Sequence, residues 1–261
     1  VAAPGQVQYE ATKQHPTRAL PSNIMPSTVF SNYKFSQACH NGHLQTAKCL
    51  LRTKPNIDVG ANNNYAFRWA CGFGHLRVAQ WLLRVKPDIN GCADNTNIEL
   101  GFRQACQNGH LRVARWLLRV NPDHLDIGAS NGVFQWACYN GHLQVAQWLL
   151  QINPNIDVSM GDECTFKWAC YNGHVRVAKW LRQIKPDIDI NSNDKTAFCA
   201  FRGACVNGHL RVAQWLLRNK PDINVSADND YAFRWACRNG HWQVAQWLIQ
   251  VNPDIDDGFA V

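Results

Sequence analysis

One motif recurs seven times along this chain, and no other feature constrains its fold as strongly. The motif reads F-x-x-A-C-x-N-G-H-L-x-V-A-x-W-L-L, then three residues, then Pro. It is anchored on His43, His75, His110, His142, His174, His209 and His241. Successive anchors are 32, 35, 32, 32, 35 and 32 residues apart. A fixed period near ~33 residues means units that cannot bury their apolar faces alone and must stack into a continuous core.

The frame is dense. Phe stands eight residues before every anchor, from Phe35 to Phe233, and Cys four before it, from Cys39 to Cys237. Ala follows four after the anchor, Leu seven after and Pro twelve after. In the second unit, Phe67, Trp69, Ala70 and Cys71 give a short helix one buried side, and Asn64 stands where a capping side chain is expected. Asn, Asp or Glu fills that place in six of the seven units. Gly74 ends the helix by accepting a left-handed turn. Leu76, Val78, Ala79, Trp81, Leu82 and Leu83 form the apolar side of a second helix, with Arg77, Gln80 and Arg84 on its outward side. Pro87 stops it, and the Asp-, Asn- and Gly-rich stretch that follows reads as a turn or hairpin-like loop. A Trp ladder (Trp81, Trp116, Trp148, Trp180, Trp215 and Trp247, with Cys49 in the first unit) accounts for more than half of the 11 Trp.

These residues resemble the ankyrin repeat family. Ala66-Phe67-Arg68-Trp69-Ala70-Cys71 matches its P-L-H-x-A-A segment, Gly74-His75 its G-H pair, and Val78-Ala79 with Trp81-Leu82-Leu83 its second helix. The Thr-Pro that opens the family's first helix is absent from every unit, and its Gly-Ala is Lys-Pro or Asn-Pro here. The wording A-C-x-N-G-H-L and W-L-L…P-x-I is similar to ankyrin proteins of giant DNA viruses of amoebae. The resemblance spans residues 31–257. It implies an all-α ankyrin-repeat solenoid of seven helix–turn–helix repeats over 31–261. Residues 1–30, with four Pro and no helical period, read as an extended or disordered arm.

The resemblance also implies a non-enzymatic protein–protein interaction module or scaffold, with contacts from loop tips and the exposed side of the first helices. Three residues before the anchor the side chain changes freely, at His40, Gln107, Tyr139, Tyr171 and Arg238. Seven before it stand Arg68, Arg103, Lys167, Arg202 and Arg234. Together these are the expected partner-binding residues; the plain alternative is drift at solvated positions. Trp six before the anchor is lost after each long spacing, at Gln104 and Gly203, where other interior units have Trp69, Trp136 and Trp168.

Charge is segregated. Sixteen of the 26 Lys and Arg lie between an anchor and its Pro, where no acid occurs; the acids other than Glu10 fall in the inter-repeat loops. The net charge of +7 and pI near 8.9 leave nucleic acid as a lesser expectation, since units four and seven contribute no positive charge to that face. A solvated helix face, or basic backs meeting acidic loops of neighbouring copies, are the other readings. Self-assembly into a head-to-tail filament or virion-associated structure is the alternative function. It draws on Trp242, Trp247 and Ile249, which leave the last unit without the polar cap a solenoid needs; a continuation of the chain, a partner or the first repeat of another copy would cover that face.

The recurring C-x-x-x-H does not make a zinc site, because each unit offers one such Cys and one such His, and stacked units sit about 8–10 Å apart. The same separation forbids disulfides along the ladder. The Cys ladder reads as buried small hydrophobes, and the sequence offers no pairing for Cys49, Cys92, Cys164 and Cys199. No cofactor, metal or catalytic grouping is expected. No signal peptide or membrane-length apolar run is visible. A cytoplasmic setting, host or viral, is expected, with a virion or extracellular assembly as the alternative.

Overall fold

The turn at each Asn-Gly-His sets the geometry of every repeat. In the computed structural model, the seven glycines before the anchors all adopt positive φ, between 74° at Gly42 and 81° at Gly141. The amide of His43 donates to Ala38 O at 2.8 Å and that of Gly42 to Cys39 O at 3.1 Å. These two bonds close the first helix with a Schellman motif, and they recur in all seven repeats. A side chain on that glycine would be forced into the left-handed region, so the residue is dictated by the turn.

The structure describes residues 27–89, 96–122, 125, 131–158, 164–188 and 200–255. Fourteen α-helices and no strand occur among them. The pairs are α1 (Ser27–His40) with α2 (Leu44–Thr53), α3 (Ala61–Gly72) with α4 (Leu76–Val85), and α5 (Thr96–Gln107) with α6 (Leu111–Val120). They continue with α7 (Asn131–Tyr139) and α8 (Leu143–Ile152), α9 (Cys164–Tyr171) and α10 (Val175–Ile184), α11 (Ala200–Val206) and α12 (Leu210–Asn219), and α13 (Ala227–Arg238) and α14 (Trp242–Val251). Each first helix contacts its own second helix and the first helix of the next repeat. This is the expected all-α solenoid.

The core repeats as the sequence does. The Phe, Ala and Cys of the first helix and the Ala and Leu of the second are buried in nearly every repeat. The isoleucine two residues after the proline (Ile57, Ile89, Ile156, Ile188, Ile223 and Ile255) is buried as well, and pins the chain after the second helix. The Trp ladder crosses repeat boundaries: each indole lies on the Phe of the preceding repeat. Ring centroids are 6.1 Å apart for Phe35–Trp81, 6.5 Å for Phe67–Trp116, 6.2 Å for Phe102–Trp148, 6.1 Å for Phe134–Trp180, 6.3 Å for Phe166–Trp215 and 6.2 Å for Phe201–Trp247.

Several expectations are corrected. Helix α1 begins at Ser27, inside the segment read as an arm; residues 1–26 lie outside the described residues. Asn64 does not cap α3. Asn62, Asn63 and Asn64 form a left-handed turn (φ 54°, 55° and 53°), and Asn64 Oδ1 is buried without a hydrogen-bond partner. Asp228, Asn229 and Asp230 repeat that turn in front of α13, with φ 55°, 55° and 56°. Asn and Asp tolerate this region better than other side chains. Glu99 belongs to the first turns of α5 rather than to a loop, and pairs with Arg103. The loops that would hold the three-residue insertions, around 90–95 and 189–199, lie outside the described residues.

Candidate interaction surface

Along the open side of the first helices, the residue three before one anchor meets the residue six before the next. The His40 ring stacks on Trp69 (5.2 Å, 16° between planes) and on Phe73 (4.2 Å, 27°). Tyr139 lies 5.4 Å from Trp168. A Cβ on Gly72 would sit 3.2 Å from the Gln104 side chain, and one on Gly203 would sit 3.0 Å from Tyr171. The two variable places are therefore in contact from one repeat to the next. Where Trp is lost at Gly203, the tyrosine of the preceding repeat takes its room.

The result is a row of partly open aromatic clusters. Tyr65, Trp69, Phe73 and His40 form the first, with Trp69–Phe73 at 5.1 Å and Tyr65–Trp69 at 5.3 Å. Trp136, Tyr139, Trp168 and Tyr171 form the second, at 5.2, 5.4 and 5.4 Å between successive rings. Phe73 and Trp136 are each 39% exposed. The third cluster is cationic: Arg202 lies over Tyr231 at 5.4 Å and Arg238 over Trp235 at 4.7 Å. Such clusters offer rigid aromatic area at low entropic cost, with polar edges for orientation.

The expected binding residues fall into three groups. His40, Tyr139, Tyr171 and the exposed Arg238 belong to these clusters. Gln107 lies half-buried between them, its carbonyl accepting a hydrogen bond from Asn140 Nδ2 at 3.0 Å. The positively charged row is mostly engaged. Arg68 donates to the carbonyls of Asn63 (3.0 Å) and Asn62 (3.3 Å), and Arg234 to those of Asn229 (2.7 Å) and Asp228 (3.2 Å). Each arginine clamps a left-handed turn. Arg103 is exposed and bonds Glu99 at 2.6 Å. Arg202 is largely covered and pairs with Asp228 at 2.5 Å. Lys167 is buried, which corrects its reading as an exposed contact. Aromatic residues that the sequence reading passed over (Tyr65, Phe73, Tyr231 and Trp235) complete the surface.

Of the three residues read as an assembly face, Trp242 is 68% exposed and Ile249 36% exposed. Trp247 is not part of that face: it is half-buried and forms the last rung of the Trp ladder, on Phe201.

The anchor histidines link repeats. A Cβ on Gly42 would lie 2.5 Å from His75 Nδ1, and the same close approach joins each later glycine up to Gly208 to the next ring. A Cβ on Gly240 would meet nothing within 4 Å among the described residues. The rings of His110, His142, His174 and His209 donate to the carbonyls of Gly72, Gln107, Tyr139 and Tyr171. Burial draws these four imidazoles below their ordinary pKa, and the carbonyl contacts oppose the shift only partly. Burial likewise pushes the Cys39 thiol up to about 12 and raises those of Cys71, Cys106 and Cys138. These thiols are inert core residues.

Among the described residues no group of three or more His, Cys, Asp or Glu side chains is placed to hold a metal ion, and no helix is long and apolar enough to cross a membrane. The family profile described as ankyrin repeats (3 copies) matches residues 102–194 and 167–258, and that described as ankyrin repeats (many copies) matches residues 35–83. A search of curated proteins finds no match to the chain.

Proposed function

The chain belongs to the ankyrin repeat family, and from that premise we propose that it recognises a protein partner through the aromatic row of its first helices. Ankyrin repeats are protein–protein interaction modules, and as a class they are not catalysts. The observation that carries the finer reading is the set of partly open rings built from His40, Trp69 and Phe73 and from Trp136, Tyr139 and Trp168. A rigid frame with side chains that differ from repeat to repeat suits selective recognition. In this reading the chain is a scaffold without enzymatic activity. Its repeat wording fits an origin among giant-virus ankyrin proteins and a cytoplasmic or virion-associated location. The test is cross-linking mass spectrometry on captured complexes. Cross-links concentrated on the first-helix side, and loss of the partner on Trp136→Ala with Tyr139→Ala, are expected. Partners retained by that variant would remove the reading.

Head-to-tail assembly is a second reading, favoured by the last repeat. No ring seats on Gly240 among the described residues, and Trp242 stands open beside it. Another copy could stack there, its His43 taking on Gly240 the place that His241 takes on Gly208. Sedimentation at rising concentration tests it, and a constant monomer mass would count against it. Nucleic acid is the weakest of the three readings, because Gln144, Gln147 and Gln151 interrupt the basic row of second helices.

A further inference from the structure

Helix α6 carries Arg112, Arg115 and Arg119 at spacings of three and four, so that all three guanidinium groups share one face. Three like charges in that register oppose the helix; at the middle place α4, α8, α12 and α14 have Gln, and α2 and α10 have Lys48 and Lys179. All three arginines are exposed, and among the described residues no carboxylate pairs with any of them. They border a groove of about 450 Å³ between α4 and α6, whose remaining wall is Leu76, Gln80 and Trp116.

Two of the three charges are held in place. Arg119 Nε donates to Arg115 O at 3.2 Å, and the Arg115 guanidinium lies 5.9 Å from the centre of the Trp148 ring. The groove thus has a positioned cationic rim, one amide side chain and a small apolar wall. Its volume lies within the range of ligand pockets.

We propose that this groove is a docking site for an acidic segment of a partner protein. The segment lies extended between α4 and α6, its carboxylates on Arg112, Arg115 and Arg119 and one apolar side chain against Leu76 and Trp116. Planar guanidinium groups pair with carboxylates in a bidentate fashion, and the wall of Leu76 and Trp116 suits the apolar side chain that a bare anion lacks. A nucleic-acid strand fits less well. Its phosphates need a continuing basic path and its bases open rings. Beyond α6 the path meets the neutral α8, and the Trp116 ring is already laid on Phe67 at 6.5 Å. This site is on the opposite helix layer from the aromatic row and does not depend on it.

The test is fluorescence polarisation with a labelled eight-residue peptide of glutamates around one leucine, and with its glutamine counterpart. Binding of the glutamate peptide alone is expected. Joint Arg112→Gln, Arg115→Gln and Arg119→Gln should weaken it on the order of tenfold or more, since each exposed charge contact contributes a factor of a few. Removing the same charge elsewhere, by Arg176→Gln, Lys179→Gln and Arg211→Gln, should leave it within about twofold, apart from a screening effect that salt abolishes. Gln80→Glu alone, which leaves the arginines in place, should weaken it severalfold by repulsion and serves if the triple variant is poorly folded. Equal loss in the two triple variants, equal binding of the glutamine peptide, or no binding at all would overturn the proposal. So would tighter binding of a twelve-nucleotide strand at the same arginines, or a self-associated form dissolved by the α6 variant, each of which assigns the groove another occupant.

Discussion

A Cβ on Gly203 would lie 3.0 Å from Cδ2 of Tyr171, so the smallest residue in α11 is fixed by an aromatic ring in the repeat before it. At the equivalent place between α3 and α5 the sizes are reversed, with Gly72 facing Gln104.

Exchanging one arrangement for the other gives a coupled pair of variants. Gly203→Gln alone forces a side chain into the space of Tyr171 and should destabilise the fold by about 1–3 kcal/mol. Tyr171→Ala made together with Gly203→Gln should recover part of that loss, with a coupling of about 0.5–3 kcal/mol. Urea unfolding of the wild type, both single variants and the double variant measures it. Strictly additive effects would show that the two places do not share space.

Two tryptophans of the second helices differ sharply in consequence. Trp180 rests on Phe134 of the preceding repeat at 6.1 Å, and Trp242 is 68% exposed. Trp180→Ala should cost about 3 kcal/mol, and its effect should spread to the neighbouring repeats because the ring belongs to an interface. Trp242→Ala should stay within about 0.5 kcal/mol. Chemical denaturation followed by far-UV circular dichroism separates the two.

The sequence made one class of fact visible and hid another. Residues that serve their own repeat were legible: Gly74 because its turn needs positive φ, Phe67 and Cys71 because their spacing marks one helix side, Pro87 because it cannot continue a helix. Partnerships across a boundary were not, because their partners lie about one period away. In sequence Trp247 fits both the Trp ladder and the end face, and Phe201 beneath it places it in the ladder. His40 and Trp69 read as two independent variable places until their rings were found stacked. The row of arginines seven before the anchors looked uniform, and local backbone divides it. Arg68 and Arg234 serve left-handed turns made by Asn-Asn-Asn and Asp-Asn-Asp, Arg103 serves a helical ion pair, and Lys167 is buried. The composition of those two tripeptides was the one local signal available, and it was read as capping.

The histidine ladder predicts acid sensitivity. His110, His142, His174 and His209 hold protons less readily in the fold than in the unfolded chain, whose value is near 6.5. Below that value the unfolded state binds more protons, so stability rises with pH through this window and is lost as pH falls from 6.5 through the lowered folded values. Melting temperature should be level above pH 7 and drop steadily toward pH 5. His142→Gln should be less stable at pH 7.5 yet show a shallower drop. A drop of unchanged steepness in that variant would assign the acid sensitivity to other groups.

The left-handed turns carry a cost that their arginines offset. Three successive residues at φ near 55° are unfavourable for side chains other than glycine, by about 1–2 kcal/mol each, with Asn and Asp at the low end. Nε and Nη2 of Arg68 reach the carbonyls of Asn63 and Asn62 together, and the amide of Asn64 donates to Gly60 O at 3.0 Å. A single ammonium cannot reproduce the two-pronged contact, so Arg68→Lys should loosen the turn nearly as much as Arg68→Ala. Asn63→Gly removes the steric penalty and should make the turn less dependent on the arginine. Hydrogen exchange at the Asn64 amide reports the outcome: faster exchange is expected in both Arg68 variants, and a smaller increase when Asn63→Gly is present. Slow exchange in Arg68→Ala would mean that packing of Tyr65 and Ala66, rather than the guanidinium clamp, holds the chain in this conformation.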